Sequence, residues 1–338
     1  MPSEIKKPLF LPKPFPYLVP DILKNQVTQA VYRKWLNVKA SALRKRDIRL
    51  KRPFASVTPR NVYVRKLHDA AVKTGLYDPY SGDGLRWDLI GKWDPQKAKG
   101  NSGYKKEFAL LPTADHVDPD ADELGFEICS WLSNTAKTFL SPEEFVALCG
   151  KIIRHCPPLR ARATITVPAY GLPGYLVGVC ALAVYRKWLN TRAKQEYKRD
   201  VKIRRPYAVH SSKALYKQAI HGAACAGDGT DPFTGDKLQW DRIDTWASAA
   251  PKNRVNPEKS FSLLPTVDHI DPDADAICFE ICSWLVNDSK GELSALEYVD
   301  YCARVVAHAP PSPSQSSSRK NLDALFQSMI HRAFQGEA

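Results

Sequence analysis

An aspartate followed by a histidine closes an apolar run twice in this chain. The pairs are Asp115-His116 in LLPTADHVDPDAD and Asp268-His269 in LLPTVDHIDPDAD. On an extended strand, neighbouring side chains point to opposite faces. One member of each pair can then ligate a metal ion while the other addresses a water beside it. A second apolar run follows, then an asparagine (Asn134, Asn287) with a lysine three residues on (Lys137, Lys290). An amide oxygen at a strand–helix junction can supply a second ligand. Oxygen donors completed by water suit Mg²⁺ or Mn²⁺, one ion per copy. A lone Asp-His pair at a strand end is more often a turn cap, so the weight falls on recurrence of the whole set.

The set recurs because the chain contains itself twice. Residues 14–157 align with 167–310 at a constant offset of 153, without a gap. AVYRKWLN occurs at Ala30–Asn37 and Ala183–Asn190, and FEICSW at Phe126–Trp131 and Phe279–Trp284. A duplicated unit predicts a pseudo-two-fold molecule. The expected divisions are an N-terminal arm (1–13), a first repeat (14–157), a connector (158–166), a second repeat (167–310), a flexible linker (311–320) and a C-terminal amphipathic helix (321–338). That last helix is expected to dock on the body or on a protein partner.

Charge is distributed as unevenly as the motifs. The 338 residues carry a net +13. Val31–Lys66 holds twelve Lys/Arg against Asp47 alone, and Val184–Ala219 holds eleven against Glu196 and Asp200. The two windows sum to +20, leaving −7 for the rest. One basic block per repeat is the footprint of a polyanion-binding surface. The residues expected to meet nucleic acid are Arg33, Lys34, Arg44, Lys45 and Arg46, with Arg186, Lys187, Lys198, Arg199, Arg204 and Arg205 in the second copy. DNA is the expected partner and RNA the alternative. A membrane is not expected, since no apolar run is long enough to span one. The eight cysteines form no C-x-x-C pair. No structural zinc is therefore expected, and Cys129, Cys149, Cys282 and Cys302 read as buried thiols of a cytoplasmic protein.

Each repeat must build elements to hold its Asp, His and Asn. A long basic helix is expected from near Val31, with Val31, Trp35, Val38 and Ala42 as its buried stripe. A second helix covers roughly Asn61–Thr74. Turns follow at DPYSGD and DPFTGD. Strands are expected at Phe108–Val117 and Phe126–Cys129, and at Phe261–Ile270 and Phe279–Cys282. The last helix opens with a capping box, Ser141 with Glu144 and Ser294 with Glu297. Trp87 and Trp240 read as core aromatics. His68, His221, His155 and His308 read as packing residues, and the Asp118 and Asp271 segments as solvated acidic loops.

In this context PTADHVDPD…FEICSWLSNTAK and PTVDHIDPD…FEICSWLVNDSK resemble the HNH (ββα-metal) nucleases. The resemblance spans about 60 residues of each repeat. It implies an α+β, mainly helical fold of two tandem ββα-metal modules, each preceded by a basic helical region. It also implies a divalent-metal-dependent endonuclease that leaves 5′-phosphate and 3′-hydroxyl ends. His116 and His269 would be general bases. Asp115 and Asn134 would hold one ion, and Asp268 and Asn287 the other. Lys137 and Lys290 would contact a phosphate or cover the helix. The chain departs from the pattern in two places. Gly125 and Cys278 lie where a middle asparagine is usual, and the DPYSG and DPFTG turns replace a cysteine pair. A non-catalytic nucleic-acid-binding protein that keeps the fold is the alternative.

Overall fold

The computed structural model describes residues 17–98, 101–118, 121–155, 170–245 and 259–310. The N-terminal arm, the connector, the linker and the C-terminal helix lie outside these residues. The fold is α+β and mostly helical, with two small sheets of two strands each. In the first repeat the main elements are α1 (Gln29–Arg49), α2 (Arg60–Thr74), β1 (Pro112–His116), β2 (Phe126–Ser130), α3 (Trp131–Lys137) and α4 (Pro142–His155). The second repeats them as α5 (Leu182–Ile203), α6 (Lys213–Ala226), β3 (Pro265–His269), β4 (Phe279–Ser283), α7 (Trp284–Lys290) and α8 (Ala295–His308). Among the described residues, no helix is long and apolar enough to cross a membrane.

Local chemistry explains most boundaries. The Thr28 side chain accepts from the Val31 amide and starts α1. Ser130 and Ser283 end a strand and cap the helix that follows at once, making each ββα turn abrupt. The Ser294–Glu297 capping box forms as expected, and Ser141 and Glu144 exchange the same bonds at 2.8 and 3.2 Å. Both hairpins are antiparallel in the same register, with Asp115 opposite Glu127 and Asp268 opposite Glu280. β1 and β3 begin four residues later than expected. Phe108–Leu111 and Phe261–Leu264 instead fold into turns closed by amide-to-carbonyl bonds of 2.9 and 3.0 Å.

The basic helix is rotated relative to the expected stripe. Trp35 is buried, but Val38 is 58% exposed, and Val31 and Ala42 also face solvent. The buried face of α1 carries Tyr32, Leu36, Ala40, Leu43 and Asp47 instead. A carboxylate on that face reads as polar in the sequence, so hydropathy alone favours the wrong rotation. Asp47 belongs there because Tyr63 and His116 supply its hydrogen bonds.

Three cores result. One lies under α1 and α2, and its counterpart under α5 and α6. The third is shared: Phe145, Cys149 and Ile152 of α4 pack with Tyr298, Tyr301 and Cys302 of α8. Tyr301 donates to Ser133 of the first repeat at 2.7 Å, and Ser289 donates to the Ala136 carbonyl at 2.6 Å. The ends of α4 and α8 reach across reciprocally. Arg304 meets Asp83 at 2.6 Å, Lys151 pairs with Asp236, and the His308 and His155 rings sit against Gly82 and Gly235. Each repeat therefore buttresses the turn of the other. Trp87 and Trp240 are core residues, and the four cysteines expected to be buried are buried free thiols.

Candidate functional site

The DPYSGD turn shows how a repeat without a C-x-x-C pair can be closed. Asp78 is fully buried, and its Oδ1 accepts the Tyr80 and Ser81 amides at 2.8 and 2.9 Å. Its Oδ2 accepts the Ser130 amide at the start of α3. Asp231 does the same for Phe233, Thr234 and Ser283. One carboxylate thus staples the turn to the junction between β2 and α3.

The Asp-His pairs divide between the two faces of the ribbon. Asp115 turns to α3, where the Lys137 ammonium lies 3.0 Å away. Asp268 lies 3.3 Å from Lys290. Burial pushes Asp268 up to about 6 despite that lysine, and it raises Asp115 in the same way. Lys137 and Lys290 are 1% exposed and also donate to the carbonyls of Leu140 and Leu293. The phosphate contact expected of these lysines therefore gives way to a buried ion pair. Their ammonium groups are committed to the site's own carboxylate and to carbonyls beyond the helix end.

His116 and His269 turn the other way, into the basic helices. Nε2 of His116 lies 3.1 Å from Asp47 Oδ2, and Nε2 of His269 lies 2.9 Å from Asp200 Oδ2. Nδ1 of each ring receives a guanidinium, from Arg46 at 2.7 Å and Arg199 at 2.8 Å. Arginine can only donate and a carboxylate only accept. Both rings are consequently neutral, with the proton on Nε2 and the lone pair on Nδ1. Burial holds both histidines below their ordinary value, against the raising effect of the aspartates. Burial alone would raise Asp200, but bonds from His269 and Tyr216 outweigh it and hold the carboxylate low. Phe126 and Phe279 pack edge-on against the rings, with centroids 5.0 and 4.8 Å away.

Asp47 and Asp200 were not among the candidates drawn from the sequence. The signal was present, however. Each is an acidic residue in a basic window, at corresponding positions, in helical register with Tyr32, Leu36, Ala40 and Leu43 or their counterparts.

In the second repeat these groups open onto one pocket of about 400 Å³. Asp268, His269, Asn287 and Lys290 line it, with Arg199 and Arg204. The four motif residues expected to act together in that copy are thus brought together. In the first repeat Asp115 and His116 are buried and Asn134 is half-buried on α3. Among the described residues, no group of three or more His, Cys, Asp or Glu side chains could hold a metal ion. A set of one carboxylate and one amide is a different arrangement, and it fits a hard cation in its donors. Asp268 Oδ2 is buried and, among the described residues, has an ion pair with Lys290 but no hydrogen bond, and Asn287 lines the same pocket.

The basic residues separate into two groups. Arg33, Lys34, Lys45, Arg186, Lys187, Lys198, Arg199 and Arg204 are exposed. Arg44 donates to the Thr58 carbonyl, Arg46 to His116 and Arg205 to Asp200. Arg205 is only 10% exposed, and it lines the same pocket while bonded to Asp200. His68 and His221 bond Tyr32 and Tyr185 and are packing residues.

Compared with protein-family models, curated proteins and solved structures, the chain matches none. Its function has to be argued from the site itself.

Proposed function

We propose that the chain is a divalent-metal-dependent endonuclease with two HNH-type sites, acting on DNA. The observation that carries this reading is the second-repeat pocket, whose lining includes Asp268, His269 and Asn287 together with Arg199 and Arg204. A base, oxygen ligands and guanidinium groups converging on a polar cleft are the parts phosphodiester hydrolysis needs.

In this reading Nδ1 of His269 takes a proton from a water. The water oxygen bonds to phosphorus, the bond from phosphorus to the 3′-oxygen breaks, and the leaving oxygen takes a proton from solvent. Asp200 stabilises the imidazolium that forms. Asp268 and Asn287 would hold the ion, which when bound stabilises charge on the phosphate and the leaving oxygen. His116, Asp115, Asn134 and Asp47 would have the same roles in the first repeat. The ends would be 5′-phosphate and 3′-hydroxyl.

Plasmid cleavage in Mg²⁺ or Mn²⁺ tests this, with EDTA as control and His116→Ala, His269→Ala and the double variant for comparison. The parent should give linear DNA, each single variant nicked circles, and the double variant neither. Undiminished cleavage by the double variant would sink the assignment.

One observation favours a second reading, a non-catalytic nucleic-acid-binding protein. Lys137 and Lys290 already neutralise the carboxylates that would bind metal. Salt-sensitive DNA binding without cleavage in any metal would select it.

A further inference from the structure

The cluster that the Asp-His-Asn motif does not contain lies behind the histidine. Asp200 accepts through Oδ2 from His269 at 2.9 Å, Tyr216 at 2.8 Å and Tyr207 at 3.2 Å, while Arg205 reaches Oδ1 at 3.1 Å. Asp47 takes His116 and Tyr63 at 3.1 and 3.0 Å, with Arg52 at 3.6 Å. Both aspartates are fully buried. The arrangement occurs in both repeats, assembled from a basic helix and a strand 69 residues on. A surface ion pair could shift without consequence. A buried carboxylate held by donors from two other elements cannot, since losing them leaves its charge unsatisfied.

On the opposite edge of the ring, Arg199 covers the nitrogen that would receive a proton. It is 46% exposed and faces the pocket, so a phosphate entering there can draw it away. The two repeats differ here. Glu196 holds Arg199 at 2.6 Å, whereas Leu43 stands at the corresponding place beside Arg46.

We propose that Asp47 and Asp200 are positioning residues that lock His116 and His269 with the proton on Nε2, and that Arg46 and Arg199 cap the free Nδ1 until a nucleic-acid phosphate draws the guanidinium off. The base is thereby exposed only when substrate is in place. In the first repeat Arg46 lacks that glutamate and is held by burial instead, half-buried where Arg199 is exposed. The proposal rests on reading the pocket as a nuclease site, but its first readout does not depend on turnover.

The test uses the full chain carrying His116→Ala, so that the second repeat reports alone. Nitrogen-15 spectra of the histidine rings, assigned by loss of a signal in His269→Gln, give the tautomer directly. The parent ring is expected to carry its proton on Nε2. In Asp200→Asn the amide oxygen should keep facing the three donors His269, Tyr216 and Tyr207, with the amide nitrogen toward Arg205. The proton should stay on Nε2 while the imidazolium loses its carboxylate, with kcat falling at least about a hundredfold and KM within about threefold. A short DNA duplex added in EDTA should shift the Nδ1 resonance. Arg199→Gln should abolish that shift and raise KM about tenfold.

A parent ring protonated on Nδ1 overturns the positioning role whether or not the protein cleaves DNA. An unchanged kcat in Asp200→Asn overturns it too. An Nδ1 resonance indifferent to DNA in the parent overturns the cap. A parent with the expected tautomer and cap but no cleavage would retain this proposal and reject the nuclease reading. If Asp200→Asn fails to fold, the parent tautomer and Arg199→Gln still decide.

Discussion

Nε2 of His269 lies 2.9 Å from the carboxylate of Asp200, a residue 69 positions earlier on a different element. The bond joins the basic helix to the strand that carries Asp268 and His269, so the basic surface and the candidate base are held together. Stability should depend on it as much as reactivity does. Asp200→Ala would strand four donors in a buried site and should cost about 3–5 kcal/mol in urea unfolding. A cost below about 1 kcal/mol would mean that the network is not formed in solution.

The lowered histidines set a pH dependence with a definite sign. A group whose folded value is depressed stabilises the fold above its unfolded value, near 6.5, and that stability is lost as pH falls. Cleavage should therefore be flat from about pH 7 to 8 and decline on the acid side as the base protonates. Single-turnover rates from pH 5 to 8 measure this. A rate that rises on acidification would exclude neutral His116 and His269 as bases.

Salt should expose the binding helices. Lys34 and Lys187 project from corresponding sites on α1 and α5, clear of the core. Replacing either by alanine should weaken DNA binding to all sequences alike and reduce the slope of log K against log salt by about 0.9. Binding titrations at several salt concentrations give that slope. An unchanged slope would place the DNA elsewhere.

Coupling between the repeats can be read at one glycine. Gly235 has φ +71°, and an added Cβ would meet the His155 ring of the other repeat at 2.5 Å. Gly235→Ala should destabilise the chain by more than about 1 kcal/mol, part of it recovered by adding His155→Ala. Strict additivity in denaturant unfolding would mean that the two groups do not touch.

Much of the architecture was legible because it is local. Capping boxes, turn sequences and short apolar runs act within a few residues, so Ser141, Ser294, the hairpins and the DPYSGD turn could be read directly. The rotation of α1 could not. Val38 is exposed and Asp47 buried because the carboxylate takes its donors from α2 and β1. The ion pairs of Lys137 and Lys290 were hidden for the same reason: only the fold brings a buried aspartate within reach of each ammonium.

The sequence by itself determined the duplication, the basic block in each copy and the Asp-His-Asn-Lys set, since these are patterns of residue type and spacing. Only the tertiary structure decided which nitrogen of His116 and His269 carries the proton, which cations are committed to Asp115 and Asp268, and how α4 and α8 join two repeats through one core. Those outcomes depend on contacts between residues far apart in the chain. The energy of burying a charge is settled by whatever partner folding brings to it, and spacing along the chain carries no record of that partner.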